Sequence, residues 1–278
     1  MTVRKRSLPS GWYPGSPEGC TKDIEGFLSD FQAPVGKWLG AVVPHAGWFF
    51  SGQAAARAIR TLAKTQGVDR VVIYGGHLPG SSVPLAYAED SWDTPLGPQP
   101  MDSSLVRQLV SSREVVTASA GFADNTVEIQ MPLVRRFFPD IQVIAVHSPA
   151  SEGAIRLASA IHKILADKGL AAVYIGSADL THYGPNYGFS PVGTGAKAVE
   201  WVKNENDRSL IDKAVAFDTR GLLEDARSRH NTCSPGPIVS VMQSASLHGV
   251  ARGKLLEYYT SHDIMPNASF VGYAAIIY

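Results

Sequence analysis

Four short stretches of the chain are apolar with no alternating polar face: residues 39–44, 71–76, 142–146 and 171–177. Runs of this length read as strands covered on both sides. Between them the apolar spacing changes to three and four residues, which predicts helices. The first spans residues 23–31, with Ile24, Phe27, Leu28 and Phe31 on one face. A second spans 52–64, capped by Ser51 and ended by Gly67. Asp102 caps a third that runs to about Ser111. Others are predicted over 126–138, 153–168 and 237–247, and residues 196–229 are mainly helical. Residues 79–100, rich in Pro and Gly, read as a loop with one edge hairpin. A last strand covers 269–277.

The first two strands and the helix between them form a β-α-β unit, so a direct parallel pairing with a right-handed crossover is expected. Strands alternating with helices imply a three-layer α/β/α sandwich around a central mostly parallel (mixed) sheet. No repeat, low-complexity tract or linker divides the chain, so one unit over residues 1–278 is expected.

Composition narrows the function classes. Charged residues make up 18% of the chain, below the usual quarter, which points to a large interior. Lys plus Arg and Asp plus Glu both number 25, so no basic excess marks a nucleic-acid surface. No apolar stretch approaches a membrane span. The basic start, Arg4-Lys5-Arg6, has no apolar run behind it and is not a signal peptide by pattern. Two cysteines cannot make a disulfide framework, so Cys20 and Cys233 are expected as thiols in a reduced, cytoplasmic setting.

The candidate chemistry lies at the strand ends. His45 and His77 each directly follow an apolar stretch, and the stretch to Ser177 opens onto Asp179-Leu180-Thr181-His182. In open α/β sheets ligands sit at the carboxyl ends of strands, so three segments can deliver imidazoles and one carboxylate to one rim. Taken singly, His45 could serve a turn, His77 a strand end, and Asp179 with His182 a helix cap. Asp179 can instead orient an imidazole and raise its basicity. His147 ends the fourth strand near the same rim, with no assigned role. Cys233 lies just before a helix, where a thiolate is favoured, although a lone cysteine is more commonly a small buried filler. Asn125 and Glu128 read first as a cap and a capping box. His162, His230, His248 and His262 read as surface or structural.

The ordered set of motifs is specific. It runs through Trp12-Tyr13-Pro14, Pro44-His45-Ala46-Gly47 with Ser51-Gly52, Gly76-His77 and Thr94-Pro95-Leu96-Gly97. It continues with Glu128-Ile129-Gln130-Met131-Pro132 and Ser177-Ala178-Asp179-Leu180-Thr181-His182-Tyr183. It closes with Cys233, Pro237-Ile238 and Val271-Gly272-Tyr273-Ala274-Ala275. By these motifs the chain resembles, over nearly its whole length, the Memo family, called AmmeMemoRadiSam system protein B in bacteria and archaea.

The resemblance implies an extradiol-dioxygenase (LigB)-like fold. It implies a metal site of His45, His77 and Cys233, the cysteine standing where those dioxygenases carry a glutamate. His182 matches their acid/base histidine, with Asp179 orienting it. Fe(II) is the expected metal, with copper or zinc as alternatives. Trp48, Asn125, Glu128 and Tyr183 are the candidate substrate contacts. The chain departs from the family at Asn125, which replaces a histidine, and at Cys233-Ser234-Pro235, where a basic residue is lost.

The function implied is a non-haem iron (or copper) dependent, dioxygenase-like oxidoreductase acting on a small molecule. The alternative is a non-catalytic metal-containing protein that binds a peptide or partner in the same cleft, as the human Memo protein binds phosphotyrosine peptides. A zinc hydrolase with water activated near Glu128 ranks last. The family also implies a functional link to radical-SAM and AMMECR-type proteins.

Overall fold

The four apolar stretches lie side by side as strands β1 (Gly40–Val43), β2 (Arg70–Leu78), β3 (Gln142–Pro149) and β4 (Ala172–Ser177). The computed structural model describes residues 1–119 and 121–278. These strands are parallel in the order β1-β4-β2-β3. The expected direct pairing of β1 with β2 therefore does not occur. β4 inserts between them, pairing Tyr174 with Gly40 on one edge and Ala172 with Arg70 on the other. A strand buried on both faces has no side-chain alternation to fix its neighbour, so insertion order was not readable from the pattern.

Each strand does divide its residues between two cores. Val42, Val72, Tyr74, Ile144 and Tyr174 face one layer, while Ala41, Val43, Ile73, Ala145 and Ile175 face the other. Helices α1 (Pro17–Leu28) and α2 (Trp48–Leu62) cover the second face. Helices α3 (Ser103–Ser111), α4 (Gly153–Asp167) and α5 (Pro235–Ser246) cover the first. The expected α/β/α sandwich is the observed architecture.

Antiparallel additions make the sheet mixed. The short strand β5 (His182–Tyr183) and strand β6 (Lys254–Thr260) both pair with β7 (Phe270–Ile277), which in turn pairs with β1. The apolar pattern did not announce β6, whose residues are mostly half-buried. The 79–100 segment contributes Leu85–Ala86 to the main sheet. It also forms a hairpin of Ser91–Trp92 and Gln99–Pro100, joined by Val3–Arg4.

Helix ends differ from expectation where capping chemistry decides them. Ser16 accepts from the Gly19 amide and Pro17 opens α1, so that helix starts early and stops at Leu28. α2 begins at Trp48, and Ser51 sits in its first turn with its hydroxyl donating to the Ala46 carbonyl. The 126–138 helix is two pieces, Asn125–Glu128 and Met131–Phe137, with Pro132 at the break.

The sheet and α5 meet at a glycine. A Cβ on Gly176 of β4 would lie 2.6 Å from the Pro237 carbonyl oxygen and 2.8 Å from Val241 Cγ2. That contact sets how near the start of α5, and Cys233 before it, comes to the strand ends. Gly176→Ala is expected to cost about 1–3 kcal/mol by overpacking. Gly15→Ala, with nothing within 4 Å, is the control and should change little. Urea unfolding of both variants checks this, and equal stabilities would show that the contact relaxes freely.

Candidate metal centre

β1, β4 and β2 are neighbours, and their carboxyl ends deliver His45, the Asp179–His182 segment and His77 to one place. The His45 and His77 rings meet edge to face with centroids 5.1 Å apart. Cys233 Sγ lies 3.2 Å from His45 Nε2. His45, His77 and Cys233 each offer one donor atom, and these atoms lie within 4.8 Å of one another.

Each imidazole is oriented by what its other nitrogen touches. His45 Nδ1 is 3.3 Å from Ser177 Oγ, which also accepts from Gln130 Nε2 at 3.2 Å. His77 Nδ1 is 2.9 Å from Asp124 Oδ2. With Nδ1 engaged in both rings, Nε2 of each is the atom left for a ligand role. The main chain of His45 is clamped as well. Its N–H donates to Asp179 Oδ1 at 2.7 Å, and its carbonyl accepts from Asn125 Nδ2 at 2.9 Å.

His77 is turned toward His45 by a break in β2. Its φ is +67°, the left-handed region that costs a residue with a side chain about 1–2 kcal/mol. The β2–β3 register shifts between Gly75 and Leu78. Two contacts pin the irregularity at Gly76. Its N–H donates to Thr126 Oγ1 at 3.0 Å, and its carbonyl accepts from His147 Nδ1 at 2.9 Å. His147 Nε2 accepts from the Tyr87 hydroxyl at 2.8 Å. His147 is thus a buried strut behind His77, and burial lowers its pKa.

The charges balance in pairs. Burial alone would raise the Cys233 pKa, but His45, His182 and His77 outweigh it and hold the thiol well below its ordinary value. Burial likewise opposes protonation of His77, yet Asp124 and Cys233 lift it to about 10. His182 rises to about 10 against burial, through Asp179 and Cys233. His45 is also raised, because Asp179 and Cys233 overcome its burial. Asp179 is lowered despite complete burial, chiefly by His45 and His182. A thiolate here needs positive partners, and a cation held by the same atoms would serve as the imidazolium charges do.

The donor set fits a metal ion. It combines two imidazoles with a thiolate, and the orienting partners are already in place. His182 Nε2 is buried without a hydrogen-bond partner, 3.8 Å from Asp179 Oδ2, and faces the same cleft. The cleft has a volume of about 400 Å³. Trp12, Phe50, Tyr187 and Tyr273 are among its walls, and no Lys or Arg lines it among the described residues.

Of the expected substrate contacts, Asn125 lines this cleft and the other three do not. Trp48 is 2% exposed, donates Nε1–H to the Ile129 carbonyl, and packs on Tyr13 and Phe27. Phe50, two residues on, takes the wall position expected of it. Glu128 is buried under the N-terminal segment, accepting from the Ser7 and Leu8 amides and the Tyr13 hydroxyl. That placement removes both the capping-box reading and the hydrolase reading of Glu128. Asp124, not Asn125, caps the short helix. Tyr183 is fully buried against Phe270 and Phe189, its hydroxyl donating to the Gly193 carbonyl. Alternation along β5 points His182 to the cleft and Tyr183 away from it.

Several contributors went unread in the sequence. Ser177 and Gln130 lay inside quoted motifs, and Asp124 preceded one. Asp207, far along the chain, fixes the segment that carries His182. Its Oδ1 accepts from the Thr181 amide at 3.0 Å and from the Thr181 hydroxyl, and Oδ2 accepts from Tyr258 at 2.8 Å. Cys20 and Cys233 are both free thiols, as expected. Among the described residues no helix is long and apolar enough to cross a membrane.

A family model described as Memo-like protein matches residues 4–277. The MEMO1 family protein Mbar_A1422 of Methanosarcina barkeri is 28% identical over 280 residues, 99% of each chain. A MEMO1 family protein of Thermococcus onnurineus is 28% identical over 289 residues, again 99% of each. Among solved structures, the uncharacterized protein JW3007 from Escherichia coli K12 matches with a TM-score of 0.48 at 14% identity, over 86% of this chain and 99% of that one.

Burial raises the Asp207 pKa to about 6, against the hydrogen bonds from Thr181 and Tyr258. A carboxyl whose folded pKa is raised stabilises the fold at low pH, and that stability is lost as pH climbs through the folded pKa. The stability of wild type relative to Asp207→Asn should therefore fall by about 3 kcal/mol between about pH 4 and pH 7, since each pKa unit is worth about 1.4 kcal/mol. Urea midpoints across that range check it. A flat difference would mean that Asp207 is ionised throughout.

Proposed function

The chain belongs to the Memo family, and we propose that it is a metal-binding protein in which His45, His77 and Cys233 hold Fe(II) for dioxygenase-like oxidoreductase chemistry. The observation that carries this is the convergence of three donor atoms within 4.8 Å, with Nδ1 of both rings already committed to Ser177 and Asp124. Two histidines with a carboxylate suit non-haem iron, and a thiolate in the carboxylate's place is softer, so copper or zinc also fits the set. When bound, iron supplies electron transfer and Lewis acidity toward a substrate oxygen.

The protein's own groups provide the rest. His182 carries a proton at neutral pH and faces the cleft, so it is the group to exchange that proton with a substrate oxygen. Asp179 holds the imidazole charged from below and fixes His45 beside it. The aromatic walls exclude water from one side of a small ligand. Asn125, by holding the His45 carbonyl, keeps that backbone rigid.

A second reading is a non-catalytic metal-containing protein that seats a peptide or partner in the cleft. The exposed Phe49 against Phe50, and the exposed Met265 at the same cleft, favour it.

Metal analysis of anaerobically purified protein tests the metal centre. Wild type should carry iron, and His45→Ala and Cys233→Ala should lose it. Asp124→Asn, which removes only the partner of His77 Nδ1, should weaken binding by about 10–100-fold. Equal, near-zero metal in wild type and His45→Ala would sink the proposal. Oxygen uptake with a panel of catechols separates the two readings. An enzyme should lose about 10²–10⁴-fold in rate on His182→Gln with metal retained, whereas a binder shows no turnover to lose.

A further inference from the structure

The donor atoms are approached from two sides. One is the cleft described above, which His45 and His77 line and Cys233 does not. The other is an opening of about 390 Å³ lined by Phe189, His230, Thr232 and Cys233, which neither His45 nor His77 lines. Two side chains border both, His182 and Tyr187. The Tyr187 ring lies against the His182 imidazole with centroids 4.9 Å apart and planes at 53°.

Tyr187 is half exposed but firmly placed. It ends the single 3₁₀ turn Pro185–Tyr187 between two left-handed glycines, Gly184 at φ +110° and Gly188 at φ +65°. The Gly184 amide donates to the Phe189 carbonyl at 2.7 Å, closing the loop on itself. The Asn186 amide donates to Ser269 Oγ at 3.1 Å, fixing the loop to the segment before β7. A Cβ on Gly184 would fall 2.4 Å from the Ala268 carbonyl oxygen, so the loop sits as close to that segment as a backbone can. With its backbone held this way and its ring against His182, Tyr187 stands between the two spaces.

We propose that Tyr187 is a specificity-determining partition, separating a substrate cleft on the imidazole side from a second opening of similar volume on the thiolate side. Among the described residues no carboxylate, lysine or arginine lines the second opening, and the His182 charge there stands opposite the Cys233 thiolate, so a small molecule without net charge is the ligand class it suits. The assignment deepens the reading of this cleft as the ligand site and rests on it. It assigns the two faces of the centre to two separate ligands.

The test reads access to Cys233 by size. The full-length chain, stripped with chelator, is alkylated in parallel with iodoacetamide and with fluorescein-5-maleimide. Cys20 is fully buried and gives the background, which Cys20→Ser removes. The ratio of bulky to small reagent rates cancels any change in thiol acidity. Tyr187→Ala joins the two spaces and should raise that ratio about tenfold, the removal of about 1.4 kcal/mol of barrier. Tyr187→Phe keeps the ring and should leave the ratio at the wild-type value. A Tyr187→Ala ratio within about twofold of wild type would overturn the partition, since that difference is below about 0.5 kcal/mol. Failure of added Fe(II) to protect Cys233 would instead count against the metal reading. It would leave the ratio, and with it the partition, measurable.

Discussion

The site depends on one buried carboxylate. Asp179 is 3% exposed and spends one side-chain oxygen on the His45 amide. The other stands 3.9 Å from His45 Nε2 and 3.8 Å from His182 Nε2. Its backbone carbonyl accepts from the Thr232 hydroxyl at 2.7 Å and the Cys233 amide at 3.3 Å. One residue therefore ties together the ends of β1 and β4 and the approach to α5. A carboxylate buried so deeply is costly unless it is paired and hydrogen-bonded, and here those partners are the site itself.

Topology makes that tie available. Because β4 lies between β1 and β2, its carboxyl end falls between the two histidines, and the residue after Ala178 meets His45 on one side and the Cys233 loop on the other. Had β1 paired directly with β2, Asp179 would have emerged at the rim of the group. Close backbone contacts then bring the fourth segment in. A Cβ on Gly76 would strike Ser234 Oγ at 2.1 Å, so the loop with Cys233 packs directly on the turn that carries His77. Glycines at Gly76 and Gly176 draw α5 against the strand ends.

The sequence carried the layers and the rim because apolar runs and strand-end residues are local signals. His45, His77, Asp179 and His182 were legible as a set from position alone, since each follows a buried strand. Cys233 was not. It stands before a helix with no ligand spacing around it, so position offered both a thiolate and a buried filler, and the ordered motifs decided between them. What failed did so through geometry that no spacing encodes. Trp48 and Tyr183 are aromatic neighbours of site residues, but helix rotation and strand alternation turn both into the core. Glu128 fits a capping box by pattern, yet the N-terminal segment folds over it and claims its oxygens. The order of strands is likewise non-local, because a strand apolar on both faces accepts any neighbour.

Charge accounting explains why the surroundings hold so many acids. Asp124, Asp179 and the Cys233 thiolate place three negative charges around one centre. The rings of His45, His77 and His182 face them, and the raised histidine pKa values express that attraction. On the metal-centre reading, a cation held by His45, His77 and Cys233 would take the place of ring protons as the positive partner of these acids. A carboxylate in place of Cys233 would preserve the same sum, so the thiolate changes the softness of the donor set and not its charge. Asn125 fits this accounting too. It is neutral, and it holds the His45 carbonyl. A ligand role would thereby fall to the two rings whose second nitrogens Ser177 and Asp124 already hold.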